Sequence, residues 1–241
     1  MAGKVLIILL LAGTAVLGCG SDDRKQPPPA KAGQTVIVRP RPKLLTPEQR
    51  AELGFPAELI AEVEAVSGGA AEPFFEQVML QSSNLKGDVM IAAARLSGIS
   101  VRTRRADDVI ASLSPSFRSR GYLVFRSEQN VGSVPDIITV IRGNNSYDIL
   151  KIQQTESSHY QLDTKAIITW LKEQQQLASF VVTGAGADWV EARFIRPPRN
   201  MRSFAAKVAA FAPDVLRDGP GTVDRLADVM TENNGFRLTW D

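Results

Sequence analysis

Cysteine and histidine are nearly missing from this chain, which has one of each in 241 residues. A lone cysteine excludes an internal disulfide framework, and a lone histidine without further thiols cannot supply the donor set of a structural zinc site. The apolar run Val5 to Leu17 holds thirteen residues, short of the roughly 20 that cross a bilayer as a helix. An excess of one charge is also lacking, since 28 Lys and Arg stand against 26 Asp and Glu. That balance argues against nucleic acid as a partner, because such binders draw affinity from a concentrated basic face. A Gly-x-Ser-x-Gly elbow is absent, and Ser157, Ser158, His159 and Asp163 are too close in sequence to make a triad of the usual kind, which is assembled from distant segments.

The one cysteine stands in an informative place. Met1-Ala2-Gly3-Lys4 gives a short cationic start, Val5 to Leu17 an apolar stretch, and Gly18 a small residue just before Cys19. This order resembles a bacterial lipoprotein signal peptide. The resemblance implies that residues 1–18 are removed, that the Cys19 thiol carries diacylglycerol, and that its new amine takes a fatty acyl group such as palmitate. Burial of acyl methylenes contributes roughly 0.8 kcal/mol each, and two or more chains make a stable anchor. The expected setting is the cell envelope, with the outer membrane the expected leaflet system, because the acids follow later, at Asp22 and Asp23, and not directly after the cysteine.

Residues 19–43 read as a basic, proline-rich tether. Pro27-Pro28-Pro29, Pro40 and Pro42 favour an extended spacer, while Arg24, Lys25, Lys31, Arg39, Arg41 and Lys43 keep it hydrated. Residues 44–95 read as a small helical lead-in. Thr46-Pro47-Glu48-Gln49 forms a capping box, Gly54-Phe55-Pro56 interrupts the helix, and Leu59, Ile60, Val63 and Val66 repeat at helical spacing up to Ser67-Gly68-Gly69. Residues 70–98 fit no single pattern, and a small helix at Val89 to Leu96 is one reading of them.

From residue 96 to 241 the expected class is α+β: a mixed, largely antiparallel sheet of six to seven short strands packed against helices. Strands are predicted at 99–104, 122–126, 136–142, 147–153, 180–183, 189–195 and 236–240, with Gly143 to Ser146 as a hairpin between the third and fourth. Helices are predicted at 107–119, 163–177, 200–212 and 222–233, with Thr222 as an N-cap. The stripe Met201, Phe204, Val208 and Phe211 is core. Gly184-Ala185-Gly186 lacks the third glycine and the following helix of a dinucleotide loop, and reads as a turn between strands.

Several short motifs recur in order: Gly121-Tyr122-Leu123-Val124-Phe125, Pro135-Asp136, Tyr147-Asp148-Ile149-Leu150, Gly184 to Glu191, Pro213-Asp214-Val215 and Leu238-Thr239-Trp240-Asp241. Together they resemble the bacterial family called domain of unknown function 4253, over about residues 96–241, with Leu53-Gly54-Phe55-Pro56 similar to its helical lead-in. The chain departs from the family pattern at His159-Tyr160-Gln161, at Thr239-Trp240-Asp241 and at Ala212-Pro213-Asp214, where a cysteine is usual. The resemblance implies a fold and a boundary and no reaction.

Candidate binding residues are Asp188, Trp189, Asp214, Asp218, Trp240 and Asp241, acids and tryptophans at the ends of predicted elements where loops can converge. No cofactor or metal is implied. The preferred expectation is a membrane-anchored envelope lipoprotein displaying a noncatalytic binding domain for a protein partner. The alternatives are an envelope hydrolase built on the aspartates, and an inhibitor or immunity-type protein. Mass spectrometry of the native protein should find acyl chains on Cys19, and Cys19→Ala should move the chain from the membrane to the soluble fraction.

Overall fold

The computed structural model describes residues 44–82, 89–130 and 134–240. Cys19, the apolar leader, the proline-rich stretch and Asp241 lie outside the described residues. The architecture is α+β, as the sequence leads one to expect: one seven-stranded mixed sheet with helices on both faces.

Two short helices open the described chain, α1 (Pro47–Leu53) and α2 (Ala57–Ser67). Thr46 and Gln49 form the expected capping box, and Gly54 ends α1 at φ 57°, a left-handed conformation that glycine adopts at little cost. Strands β1 (Glu72–Ser82) and β2 (Val89–Thr103) follow as an antiparallel pair. The segment Val89 to Leu96 is therefore strand and not helix. Its alanines favour a helix locally, but pairing along β1 from Ser82↔Val89 to Phe75↔Leu96 overrides that preference. The boundary expected at residue 96 falls inside β2.

Next come α3 (Ala106–Ser119), β3 (Tyr122–Glu128) and β4 (Asp136–Arg142). A second correction follows, because 147–153 is not a strand: Asp148–Gln153 is helix α4, so Gly143 to Ser146 joins a strand to a helix. Asn145 Oδ1 accepts from Tyr147 N–H at 3.1 Å to form the turn, and Lys151 reaches Asp148 one turn back at 2.8 Å. The apolar residues of this run, Ile149 and Leu150, both pack into the core from one side of a short helix. Then come α5 (Thr164–Gln174), β5 (Ser179–Ala185), β6 (Trp189–Arg196), α6 (Met201–Phe211), α7 (Asp214–Arg217), α8 (Val223–Glu232) and β7 (Gly235–Thr239). Side chains of Asp163, Asn200 and Thr222 cap α5, α6 and α8.

The strand order is β1-β2-β4-β3-β5-β6-β7, and every pair is antiparallel except β3 with β5. That parallel seam registers at one pair, Arg126↔Gly184. Alternation along β3 separates two cores: Tyr122 and Val124 join the side chains of α1, α2 and α3, while Leu123 and Phe125 join those of α4, α5, α6, α7 and α8. The first layer covers β2, β4 and β3 on one face; the second covers β3, β5, β6 and β7 on the other. Among the described residues, the first face thus carries no helix over β6 and β7.

Within the larger core, Phe204 stacks edge-on against Phe194 and Phe236. Phe204→Ala should cost about 3–5 kcal/mol in denaturant unfolding, since it is 1% exposed and leaves a cavity. Tyr147 is also buried, and its hydroxyl has no hydrogen-bond partner among the described residues. Burial pushes its pKa up to about 12 from 10.0. The folded state then holds the phenolic proton more tightly than the unfolded chain, so this stability is full below pH 10 and lost as pH rises toward 12. Tyr147→Phe should flatten the alkaline limb of a stability-versus-pH curve without loss of stability at neutral pH.

Candidate functional site

Edge strand β7 and helix α8 border a groove of about 710 Å³. Its floor is the free side of Gly235, Phe236, Arg237 and Thr239. One wall is the turn Asp218-Gly219-Pro220 with Val229 and Met230 of α8; the other is the helix-free sheet face bearing Arg126, Glu191 and Arg193. Gly235 fits at the start of β7 because its backbone runs against β6, where an added Cβ would lie 2.4 Å from the Ala192 carbonyl oxygen.

The polar wall is built around a buried cation. Arg126 points from β3 to the face opposite Phe125, with its side chain 7% exposed. Taking a guanidinium out of water costs several kcal/mol unless carboxylates surround it. Three do: Asp136 at 3.1 Å, Asp107 at 3.1 Å, and Glu191 in direct ion-paired contact. Glu191 also accepts from the Thr183 hydroxyl at 3.2 Å, and Asp107 is shared with Arg193 at 2.9 Å. Asp107 belongs to the first turn of α3, where a negative charge suits the helix dipole.

Arg237 lies beside this network. Its guanidinium covers the Trp189 ring at 4.5 Å and donates to Gln129. Burial holds its pKa below the usual arginine value, with Arg126 acting the same way while Glu191, Asp188 and Asp136 oppose. Trp189 is itself wedged against glycines, since an added Cβ at Gly186 would lie 2.2 Å from its indole nitrogen. The Gly184-Ala185-Gly186 segment is thus the end of a strand and a turn shaped around tryptophan, with Thr155 donating to the Gly186 carbonyl at 2.7 Å.

The predicted site residues divide into separate groups. Asp214 and Asp218 come together on α7 and its end: Arg217 reaches Asp214 at 2.8 Å and both carboxylate oxygens of Asp218 at 3.0 Å. Asp214 is buried and accepts from Tyr160 Oη at 2.7 Å, a bond that raises the tyrosine pKa. Of this group Asp218 lines the groove. Asp188 is exposed in the β5–β6 turn near Arg237, while Trp189 and Trp240 lie on opposite sheet faces, Trp240 in the core with its indole N–H directed at the Phe211 carbonyl. Asp241 lies outside the described residues. Exposed His159 stacks edge-on to Tyr160, and the Ser157 hydroxyl accepts from the Tyr160 amide. No cluster of three or more metal-ligating side chains occurs among the described residues.

Sequence reading missed Asp107, Arg126, Glu191, Arg193 and Arg237. A signal for them exists: Glu191 and Arg193 alternate with Val190, Ala192 and Phe194, and Arg237 sits between Phe236 and Leu238. Charges alternating with core residues on adjacent strands mark one polar sheet face.

Residues 137–241 match the family model described as "Domain of unknown function (DUF4253)", a match that begins in β4 and ends with the strand bordering the groove. No curated protein and no solved structure matches the chain. Glu191→Ala should destabilise by roughly 1–3 kcal/mol, because two carboxylates still face Arg126 after the third is lost. Asp218→Asn should cost roughly 0–1 kcal/mol, because that ion pair is solvated. Equal effects in urea unfolding would contradict this ordering.

Proposed function

We propose that this chain, with residues 137–241 matching that domain family, is an envelope lipoprotein anchored through acylated Cys19 and displaying a noncatalytic binding domain whose ligand site is the groove beside β7. The anchor reading is supported by the order of charged, apolar and small residues up to Cys19. Among the described residues no helix is long and apolar enough to cross a membrane. Residues 19–43 are long enough, and rich enough in proline, to hold the folded part away from the lipid surface.

The observation that carries the binding reading is the groove itself. It joins an apolar wall, with Val229 39% exposed, to a polar wall whose charges are already oriented. Preformed sites of this kind hold ligand without paying to arrange their own side chains. The carboxylates of the polar wall are engaged: Glu191 with Arg126, and Asp107 with both Arg126 and Arg193, while Asp136 outside the groove pairs with Arg126 as well. Groups committed in this way serve recognition better than proton transfer, which needs an acid or base free to reach a substrate.

A photo-crosslinking residue at Val229, in the full chain expressed in native envelopes, should give one discrete adduct. The same residue at Lys165, an exposed position in the first turn of α5, should not. Adduct patterns that are identical from both positions would overturn the assignment of the groove.

A further inference from the structure

The register of β6 with β7 sorts the peptide groups of the edge strand. Phe194 N–H donates to the Asn234 carbonyl at 2.9 Å, and Trp240 N–H to the Asp188 carbonyl at 3.0 Å. In the same phase, Phe236 and Leu238 direct their backbone groups to Ala192 and Val190. Gly235, Arg237 and Thr239 therefore direct theirs away from β6, into the groove they line. Outward rows of N–H and C=O groups are a template for another strand.

The two walls specify what that strand carries. A residue opposite Arg237 shares its sheet face, with Glu191 across from Arg237 in β6 and Arg193 diagonal to it, opposite Gly235. Its neighbours, opposite Phe236 and Leu238, fall on the other face, where Val229 and Met230 line the groove. Arg237 already has Glu191 across from it in β6, and burial disfavours its charge, so a carboxylate on its open side would compensate a partly desolvated cation. A second copy of this chain is a poor occupant. Antiparallel pairing of β7 with itself about Arg237 would set two guanidinium groups directly opposite, an arrangement that destabilises.

We infer that the open edge of β7 takes an extended segment of a partner protein, added antiparallel as an eighth strand, with an acidic residue opposite Arg237 and apolar residues facing Val229 and Met230. This rests on the binding-domain reading and gives it a ligand class. Main-chain bonds to Gly235, Arg237 and Thr239 would supply affinity, and the alternating walls would supply specificity.

The test uses the full chain in detergent micelles with short end-blocked peptides as probes. One alternates valine and glutamate, a second alternates valine and lysine, and a third is the valine–glutamate peptide N-methylated at every glutamate. The first should bind and slow hydrogen exchange at the amides of Gly235, Arg237 and Thr239. The lysine and N-methylated probes should bind at least about tenfold more weakly, the former for its charge and the latter for its lost donors. Arg237→Glu should reverse the preference between glutamate and lysine. Thr239→Pro removes an outward donor and keeps the β6 pairing, so it should weaken the first probe about tenfold even if Arg237→Glu fails to fold. Equal binding of the N-methylated probe, or no protection of β7 amides, overturns strand addition. If the probe then shifts the resonances of Arg193 and Val229 alone, the groove remains a binding site, whereas failure of the crosslink from Val229 in envelopes removes the binding reading itself.

Discussion

A guanidinium held almost out of water organises this molecule. Arg126 leaves β3 on the face away from Phe125, and its charge is tolerable only because α3, β4 and β6 each deliver a carboxylate to it. Asp107 fixes the start of α3, Asp136 the start of β4, and Glu191 the middle of β6. Those elements come from well-separated parts of the chain, so one side chain ties the first helical layer to the half-sheet that carries the groove. The same pairing leaves Arg193 and Arg237 arrayed along an open face, and this face gives the groove its polar side.

Much of the fold is legible because local and long-range preferences agree. Thr46 with Gln49 and Thr222 cap where the sequence places them, the helices expected from 163 and 200 start there on side-chain caps from Asp163 and Asn200, and the Phe204 and Val208 stripe is core. The failures have a common cause. Ala92 to Ala94 favour a helix by propensity, yet eleven residues of β1 need a partner and β2 supplies it. Tyr147 to Gln153 looks like a strand by composition, but β4 is already paired on both sides, with β2 and with β3, and leaves no edge for it. Pairing availability is a property of the whole sheet, and no window of sequence contains it. The count of seven strands is right in total while its membership differs, one strand lost at 147–153 and one gained at 72–82.

The candidate site was less legible. Reading acids and tryptophans at element ends finds Asp218 on the groove wall and Trp189 beneath Arg237, but it groups them with Asp214 and Trp240, which are buried elsewhere. Asp214 is consumed by Tyr160 and Arg217, and Trp240 by the core. Residue type at a loop does not say which face of a sheet a side chain enters. The informative residues lay inside strands, where charge alternates with apolar side chains at Glu191, Arg193 and Arg237, and their meaning depends on knowing that no helix among the described residues covers that face.

The parallel seam between β3 and β5 has a mechanical consequence. Registered at the single pair Arg126↔Gly184, it is the narrowest join in the sheet, and helices buttress it from opposite sides on its two flanks. Across that line run few main-chain pairings, with the shared core of Leu123, Phe125, Phe180 and Val182 on one face and the Arg126–Glu191 ion pair on the other. A force or a bound strand that twisted the β5–β6–β7 half would be felt first as a change in spacing between Arg126 and Glu191, and through Asp107 it would reach the helix on the far flank.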